Sequence, residues 1–327
     1  MTPLSILDLA PITEGSTAAE SFQRTRELAR HGENLGFQRY WLAEHHGMPG
    51  IASAATSILI GHVAAATSRI RVGAGGIMLP NHSPLVIAEQ FGTLEALFPG
   101  RIDLGLGRAP GSDQITSRAL RRTSTSDPNE FPRDVLELMD YLSDEPRQQV
   151  LAVPGKGAKV PIWILGSSLF GAQVAAAYGL PYAFASHFAP QQLMQALHIY
   201  RSTFQPSEQL AKPYVMLGFN VFAADTDEQA HFIASSWQQS FVNLRSGRPS
   251  RLPAPVQGYY QTLPAPAQHL LSDILSCSAI GGPETVARQM NDFIARTQAD
   301  ELMITSNIFE HAARLRSYEI VASLHKA

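Results

Sequence analysis

The sequence predicts an α/β fold: a (β/α)8 TIM barrel with a proline-rich insertion between its seventh and eighth strands. Three observations carry this prediction. Short apolar runs alternate with helical patterns eight times, which calls for a parallel sheet covered by helices. The 327 residues accommodate eight such units and one insertion in a single domain spanning 1–327. A doubly wound sheet would carry its phosphate fingerprint at the first strand–helix turn, and that turn reads Ala10-Pro11-Ile12-Thr13-Glu14-Gly15. The run Gly105-Leu-Gly107-Arg-Ala-Pro-Gly111 also fails as a dinucleotide motif, because its third glycine comes late and a proline lies inside it.

Leu4–Ala10 reads as the first strand, halted by Pro11. Thr17 and Glu20 form a capping-box pair opening a helix that Gly36 ends. Arg39–Ala43 is the second strand, running into Glu44-His45-His46, and Ser53–Ala66 is a small-residue helix. Ile70–Leu79 and Ile102–Leu106 are the third and fourth strands, around a helix at Pro84–Phe98. After the polar segment Ser112–Asn129 comes a helix at Glu130–Leu142, then an extended excursion at Gln148–Val153. Pro161–Leu165 and Tyr182–Ser186 are the fifth and sixth strands, followed by helices at Ala172–Tyr178 and Gln191–Phe204. Tyr214–Ala223 is an unusually long seventh strand before a helix from Asp227 to Leu244. Arg245–His269 carries five prolines and is expected to lack regular structure, the lid-like insertion being placed at 245–275. A helix at Glu284–Ile294, the eighth strand Leu302–Thr305 and a helix at Ala312–Leu324 complete the chain.

Composition narrows the function. Apolar residues make up 45% and charged residues 16%, and the net charge of −3 points neither to nucleic acid nor to an anionic membrane surface. Cys277 is the only cysteine, so no internal disulfide forms and no multi-cysteine metal site exists. The N-terminus lacks the basic start and apolar run of a secretion signal, and no apolar stretch reaches the ~20 residues of a membrane span. A cytoplasmic location is expected.

Barrels of this class place their chemistry at the C-terminal strand ends. That rule gathers Glu44-His45-His46, Gly75-Gly76, Gly107-Arg108 and Gly166-Ser167-Ser168 on one rim. Adjacent residues on a strand face opposite ways, so His45 and His46 are not expected to share a metal, and no metal site is assigned. Either one histidine turns outward while the other satisfies a loop carbonyl, or one serves proton transfer. Arg108 either pairs with a neighbouring helix or grips a phosphate through its bidentate fork; flanked by Gly107 and Ala109, it favours phosphate. Ser167 and Ser168 precede a helix, where hydroxyls and free N–H groups cap the helix or bind an anion. Gly75-Gly76 serves a bulge, an irregular peptide under a flat ligand, or close packing. Asp8 is catalytic or a buried cap, Cys277 lacks an activating partner, and His82 and His187 could face the site, though no spacing supports it.

Tyr40–His46, Gly73–Pro80, Gly100–Arg108, Ile164–Ser168 and Ile280–Val286, taken in order, resemble the flavin-dependent luciferase-like monooxygenases. The resemblance implies a barrel that binds reduced FMN, which reacts with O2 to form a peroxyflavin. It makes His45 the catalytic histidine and places Gly75-Gly76, as a non-prolyl cis peptide, beneath the flavin ring. Arg108 becomes the phosphate-binding arginine, Gly166-Ser167-Ser168 the phosphate loop, and Arg245–His269 the loop that shields the site from water. Gly107 stands where bacterial luciferase has a reactive cysteine and Ser167 where it has an acidic residue, so light emission is not carried over. One phosphate site favours FMN over FAD or tightly bound NAD, with reduced flavin coming from a partner reductase or weakly bound NAD(P)H. The expected partners are a small, apolar organic substrate and O2, and the expected assembly a homodimer or larger homo-oligomer. A deazaflavin-dependent hydride-transfer enzyme and a non-catalytic flavin-binding protein are the alternatives.

Overall fold

The computed structural model describes residues 2–109, 114–120 and 130–324. In chain order these form β1 (Leu4–Asp8), α1 (Ala18–Leu35), β2 (Arg39–Leu42), α2 (Thr56–Ala64), β3 (Arg71–Met78), α3 (Pro84–Leu97), β4 (Ile102–Gly107), α4 (Gln114–Leu120) and α5 (Phe131–Leu142). There follow β5 (Ile162–Gly166), α6 (Leu169–Tyr178), β6 (Tyr182–Phe184), α7 (Leu193–Thr203), β7 (Val215–Ala223) and α8 (Asp227–Arg245). The chain then runs through α9 (Tyr259–Thr262), α10 (Ala265–Leu275), β8 (Ser278–Gly281), α11 (Pro283–Thr297), β9 (Glu301–Thr305) and α12 (His311–Leu324). Pro110, Gly111 and most of the polar segment 112–129 lie outside the described residues; within that segment 114–120 form α4.

Eight strands close a parallel ring in the order β1–β2–β3–β4–β5–β6–β7–β9, with β9 returning to β1. Every residue of β1, β7 and β9 is buried, as strands covered on both faces require. The local signals behave as the sequence reading expects. Thr17 and Glu20 make both halves of the capping box, and Gly36 ends α1 at a φ of 93°. Near that end, Glu33 accepts the backbone N–H groups of Ser68, Arg69 and Ile70, which fixes the entry to β3.

Two expectations need correction. Eight strands are expected, and nine form among the described residues: β8 lies outside the ring and pairs with Asn220–Ala223, the far end of the long β7. The insertion is also not wholly irregular. Its later part folds into α9 and α10, because Pro264 is the N-cap of α10 and Pro266 sits in its first turn, where no N–H is needed. The earlier part is strapped to the loop after β1: Leu252 exchanges backbone hydrogen bonds with Ile12 and Glu14, and Arg251 donates to the Ser16 carbonyl. Leu271 and Ile274 of α10 pack with Trp237, Phe241, Ile308 and Phe222 of β7 as a core of their own.

Inside the ring, pleating sends alternate side chains inward in tiers. The lowest tier is charged. Arg39 bridges Asp103 (2.8 Å) and Glu301 (3.1 Å), Arg71 holds the other oxygen of Asp103 (2.6 Å), and Tyr214 donates to Glu301 (2.9 Å). Above it Leu7, Trp41, Trp163, Met216 and Met303 pack together, the two indoles edge to face at 5.1 Å. Towards the C-terminal ends the strands carry small residues, among them Ala43, Gly75, Ala183 and Gly218.

Candidate functional site

The parallel register sets the strand ends of β2 to β6 side by side. Leu42 lies opposite Ala74, Met78 opposite Gly107, Gly107 opposite Leu165, and Gly166 opposite Phe184. His45, Gly75, Gly76, Arg108, Gly166, Ser167 and Ser168 therefore occupy consecutive positions on one rim. The pairing of β3 with β4 slips between Ala74 and Ile77, so Gly75 and Gly76 stand outside the ladder, and the peptide bond between them is cis. Close packing requires glycine at 76, where a Cβ would lie 2.7 Å from the Gly105 carbonyl oxygen; one on Gly75 would press at 2.8 Å on the end of the Leu7 side chain, which can move.

Arg108 meets the phosphate-loop candidates through an aromatic ring. Its guanidinium carbon lies 4.3 Å from the ring centroid of Phe170, in the first turn of α6. Ser168 is the N-cap of that helix, with extended backbone and no side-chain capping bond, and Ser167 is exposed beside it. Gly166 lies against α6, where a Cβ would make only an ordinary contact of 3.6 Å with the Gly171 Cα, so packing alone does not demand glycine there. The result joins a fixed cation to a helix N-terminus whose leading N–H groups no serine hydroxyl occupies, a combination suited to a dianionic phosphate.

The two adjacent histidines part company. His46 Nε2 lies 2.7 Å from Glu44 Oε1, and the same oxygen is 2.8 Å from His82 Nε2. The other Glu44 oxygen accepts the Met78 backbone N–H at 3.0 Å, just beyond the glycine pair. Burial pushes the Glu44 carboxyl up, but the hydrogen bond and charge of His82, then His46 and Met78, hold it below its ordinary value. His45 lies within electrostatic reach of His187, which follows β6. The His187 ring rests on Gly218, where a Cβ would come within 2.0 Å of Nδ1. Burial, reinforced by His45, lowers its pKa to about 4, and its buried Nδ1 lacks a hydrogen-bond partner among the described residues.

The sequence offers His82 and His187 as residues that could face the site without any spacing to support them, and gives no sign that Glu44, His46 and His82 meet. Residues 38 apart come together through strand register, which no local spacing reveals. Asp8 resolves as a structural residue: it is buried against Arg314, Thr25 and Tyr40, facing α1 and α12 rather than the barrel interior. Cys277 is buried, and burial pushes its thiol up, as expected of an inert cysteine. Among the described residues no helix is long and apolar enough to cross a membrane.

Comparison with known proteins identifies the family and the fold. Residues 2–301 match the family model described as luciferase-like monooxygenase. A luciferase-like monooxygenase of Escherichia coli (strain K12) is 55% identical over 97% of this chain and 95% of its own. The N-acetyl-S-alkylcysteine monooxygenase of Bacillus subtilis (strain 168) is 32% identical over 98% of each chain. Among solved structures, apo-MsnO8 superposes with a TM-score of 0.89 at 34% identity, over 100% of this chain and 99% of its own. The oxygenating constituent of 3,6-diketocamphane monooxygenase from Pseudomonas putida, a type II Baeyer–Villiger monooxygenase in complex with FMN, shares the fold. Its TM-score is 0.72 at 17% identity, over 98% of this chain and 96% of that one.

Proposed function

Because the chain belongs to the luciferase-like monooxygenase family, we propose that it is an FMN-dependent monooxygenase that uses reduced FMN and O2 on a small, apolar organic substrate. The observation that carries the cofactor assignment is Arg108 over Phe170 at the N-terminus of α6. This one cation and one helix terminus suit the single phosphate of FMN.

In this reading Arg108, Gly166, Ser167 and Ser168 hold the phosphate, and Gly75-Gly76 supports the ring. When bound, the reduced flavin supplies the oxygen-activating chemistry. His45 lies on the rim beside His187, which burial keeps neutral at physiological pH. A neutral imidazole can hold or pass a proton at a ring nitrogen without placing a second cation in the site. The insertion, strapped at Leu252 and backed by its own apolar core, covers the site and excludes water. Reduced flavin arrives from a partner reductase or through weakly bound NAD(P)H, in a homodimeric or larger assembly in the cytoplasm. The thioether class named for the Bacillus subtilis relative is the first substrate class to assay.

The test is an anaerobic titration with reduced FMN followed by admission of oxygen. The proposal expects micromolar or tighter binding, a transient oxygenated-flavin absorbance, and a shorter lifetime of that species in His45→Ala. Absence of FMN binding would overturn it. Turnover with reduced deazaflavin and no oxygen uptake would replace it with hydride transfer; flavin binding with no such transient would indicate a carrier.

A further inference from the structure

We propose that Glu44, His46 and His82 form a binding site for a divalent transition-metal ion of the zinc type, separate from the flavin contacts assigned above. One ligand atom from each of Glu44, His46 and His82 lies within 4.8 Å of the others, and Nε2 of both histidines converges on Glu44 Oε1. Two imidazoles and one carboxylate are a donor set that Zn2+ accepts while keeping a fourth position open to water. With only one oxygen ligand, the set does not suit Ca2+ or Mg2+, which demand several.

The surroundings favour an ion. Glu44 is buried, its side chain 1% exposed. A divalent cation held by the two imidazoles would place its charge directly against this buried carboxylate. Its second oxygen is fixed by the Met78 N–H, the kind of outer contact that orients a metal ligand. The histidine side chains keep 16% and 27% of their surface exposed, which gives an ion a way in. Tetrahedral coordination at 2.0–2.2 Å sets neighbouring ligand atoms about 3.4 Å apart. The Nε2–Oε1 distances of 2.7 and 2.8 Å must therefore widen by roughly 0.6 Å, a movement that partly exposed histidine rings can make. Each ring then presents its Nε2 lone pair and carries its proton on Nδ1. Occupation would cross-link the exit of β2 to the segment between β3 and α3.

The experiment uses full-length, flavin-free protein treated with a chelator and dialysed, so its outcome does not depend on the flavin assignment. Zn2+ is titrated calorimetrically, Co2+ is followed by its visible absorption, and melting is recorded with and without Zn2+. The expected result is one Zn2+ per chain at micromolar or tighter affinity, a raised melting temperature, and a tetrahedral Co2+ spectrum. His46→Ala and His82→Ala should each weaken Zn2+ by about a hundredfold or more, while His198→Ala, on the exposed face of α7, leaves it unchanged. Glu44→Gln, which keeps the shape and removes the charge, should weaken it at least tenfold. A failure to bind Zn2+ stoichiometrically, or binding that survives both histidine substitutions, would overturn the proposal and leave a hydrogen-bonded cluster only. Should one histidine variant fold poorly, loss of the Co2+ spectrum in the other decides the matter.

Discussion

His187 shows how a single side chain can carry information about the site. Its ring is pressed on Gly218, and burial together with His45 lowers its pKa to about 4, against an unfolded value near 6.5. Below pH 6.5 the unfolded chain therefore binds a proton that the folded chain refuses, so this group's stability contribution is lost progressively as pH falls from 6.5 toward 4. Denaturant midpoints at pH 7.5 and pH 5 should show a larger loss in the wild type than in His187→Asn; equal losses would remove the assignment. Gly76 makes a steric prediction. A methyl group there would meet the Gly105 backbone at 2.7 Å, which neither strand can yield without shifting. Gly76→Ala should cost about 1–3 kcal/mol in urea unfolding, as overpacking does. The adjacent glycines stood out in the sequence, but which backbone they approach depends on the pairing of β3 with β4.

At the scale of elements, the barrel is tied to its outer helices by buried polar contacts that replace apolar packing at a few points. Arg314 of α12 reaches Asp8 at the end of β1 (2.8 Å) and also donates to the Ser306 carbonyl (2.8 Å). Burial pushes Asp8 up, but Arg314, then the hydroxyls of Thr25 and Tyr40, hold its carboxyl below the usual range. Its contribution is thus present above the ordinary carboxylate pKa and is lost as pH falls through the lowered one. Arg314→Leu would leave that carboxylate buried without its partner, and a loss of about 3–5 kcal/mol is expected in equilibrium unfolding at pH 7. A loss below 1 kcal/mol would show that Asp8 is satisfied by its hydroxyl partners alone. The sequence placed Asp8 correctly on its strand but could not separate catalysis from anchoring, because its partner lies 306 residues away. In α10 the reason differs: a proline in the first turn of a helix has the same letter as one that breaks it, and only the helix N-terminus tells them apart.

For the whole molecule, eight alternating units were enough to read a closed parallel barrel, and strand ends were enough to collect the rim. β8 escaped notice because Ser-Ala-Ile-Gly is four residues long and offers little periodicity; its signal was indirect, in the extra length of β7 with which it pairs. The rim was legible wherever its residues fall next to one another in sequence, as in Glu44-His45-His46 or Gly166-Ser167-Ser168. It was illegible where distant strands bring residues together, as with His82, His187 and Phe170. The central claim is that this rim binds FMN with Arg108 at the phosphate. Its most direct test compares the affinity of FMN with that of riboflavin, which lacks the phosphate, in the wild type and in Arg108→Ala. A charge-assisted contact of about 1.5–3 kcal/mol predicts that the substitution weakens FMN by roughly ten- to a hundredfold and leaves riboflavin unchanged. Equal weakening of both ligands, or unchanged FMN affinity, would contradict it.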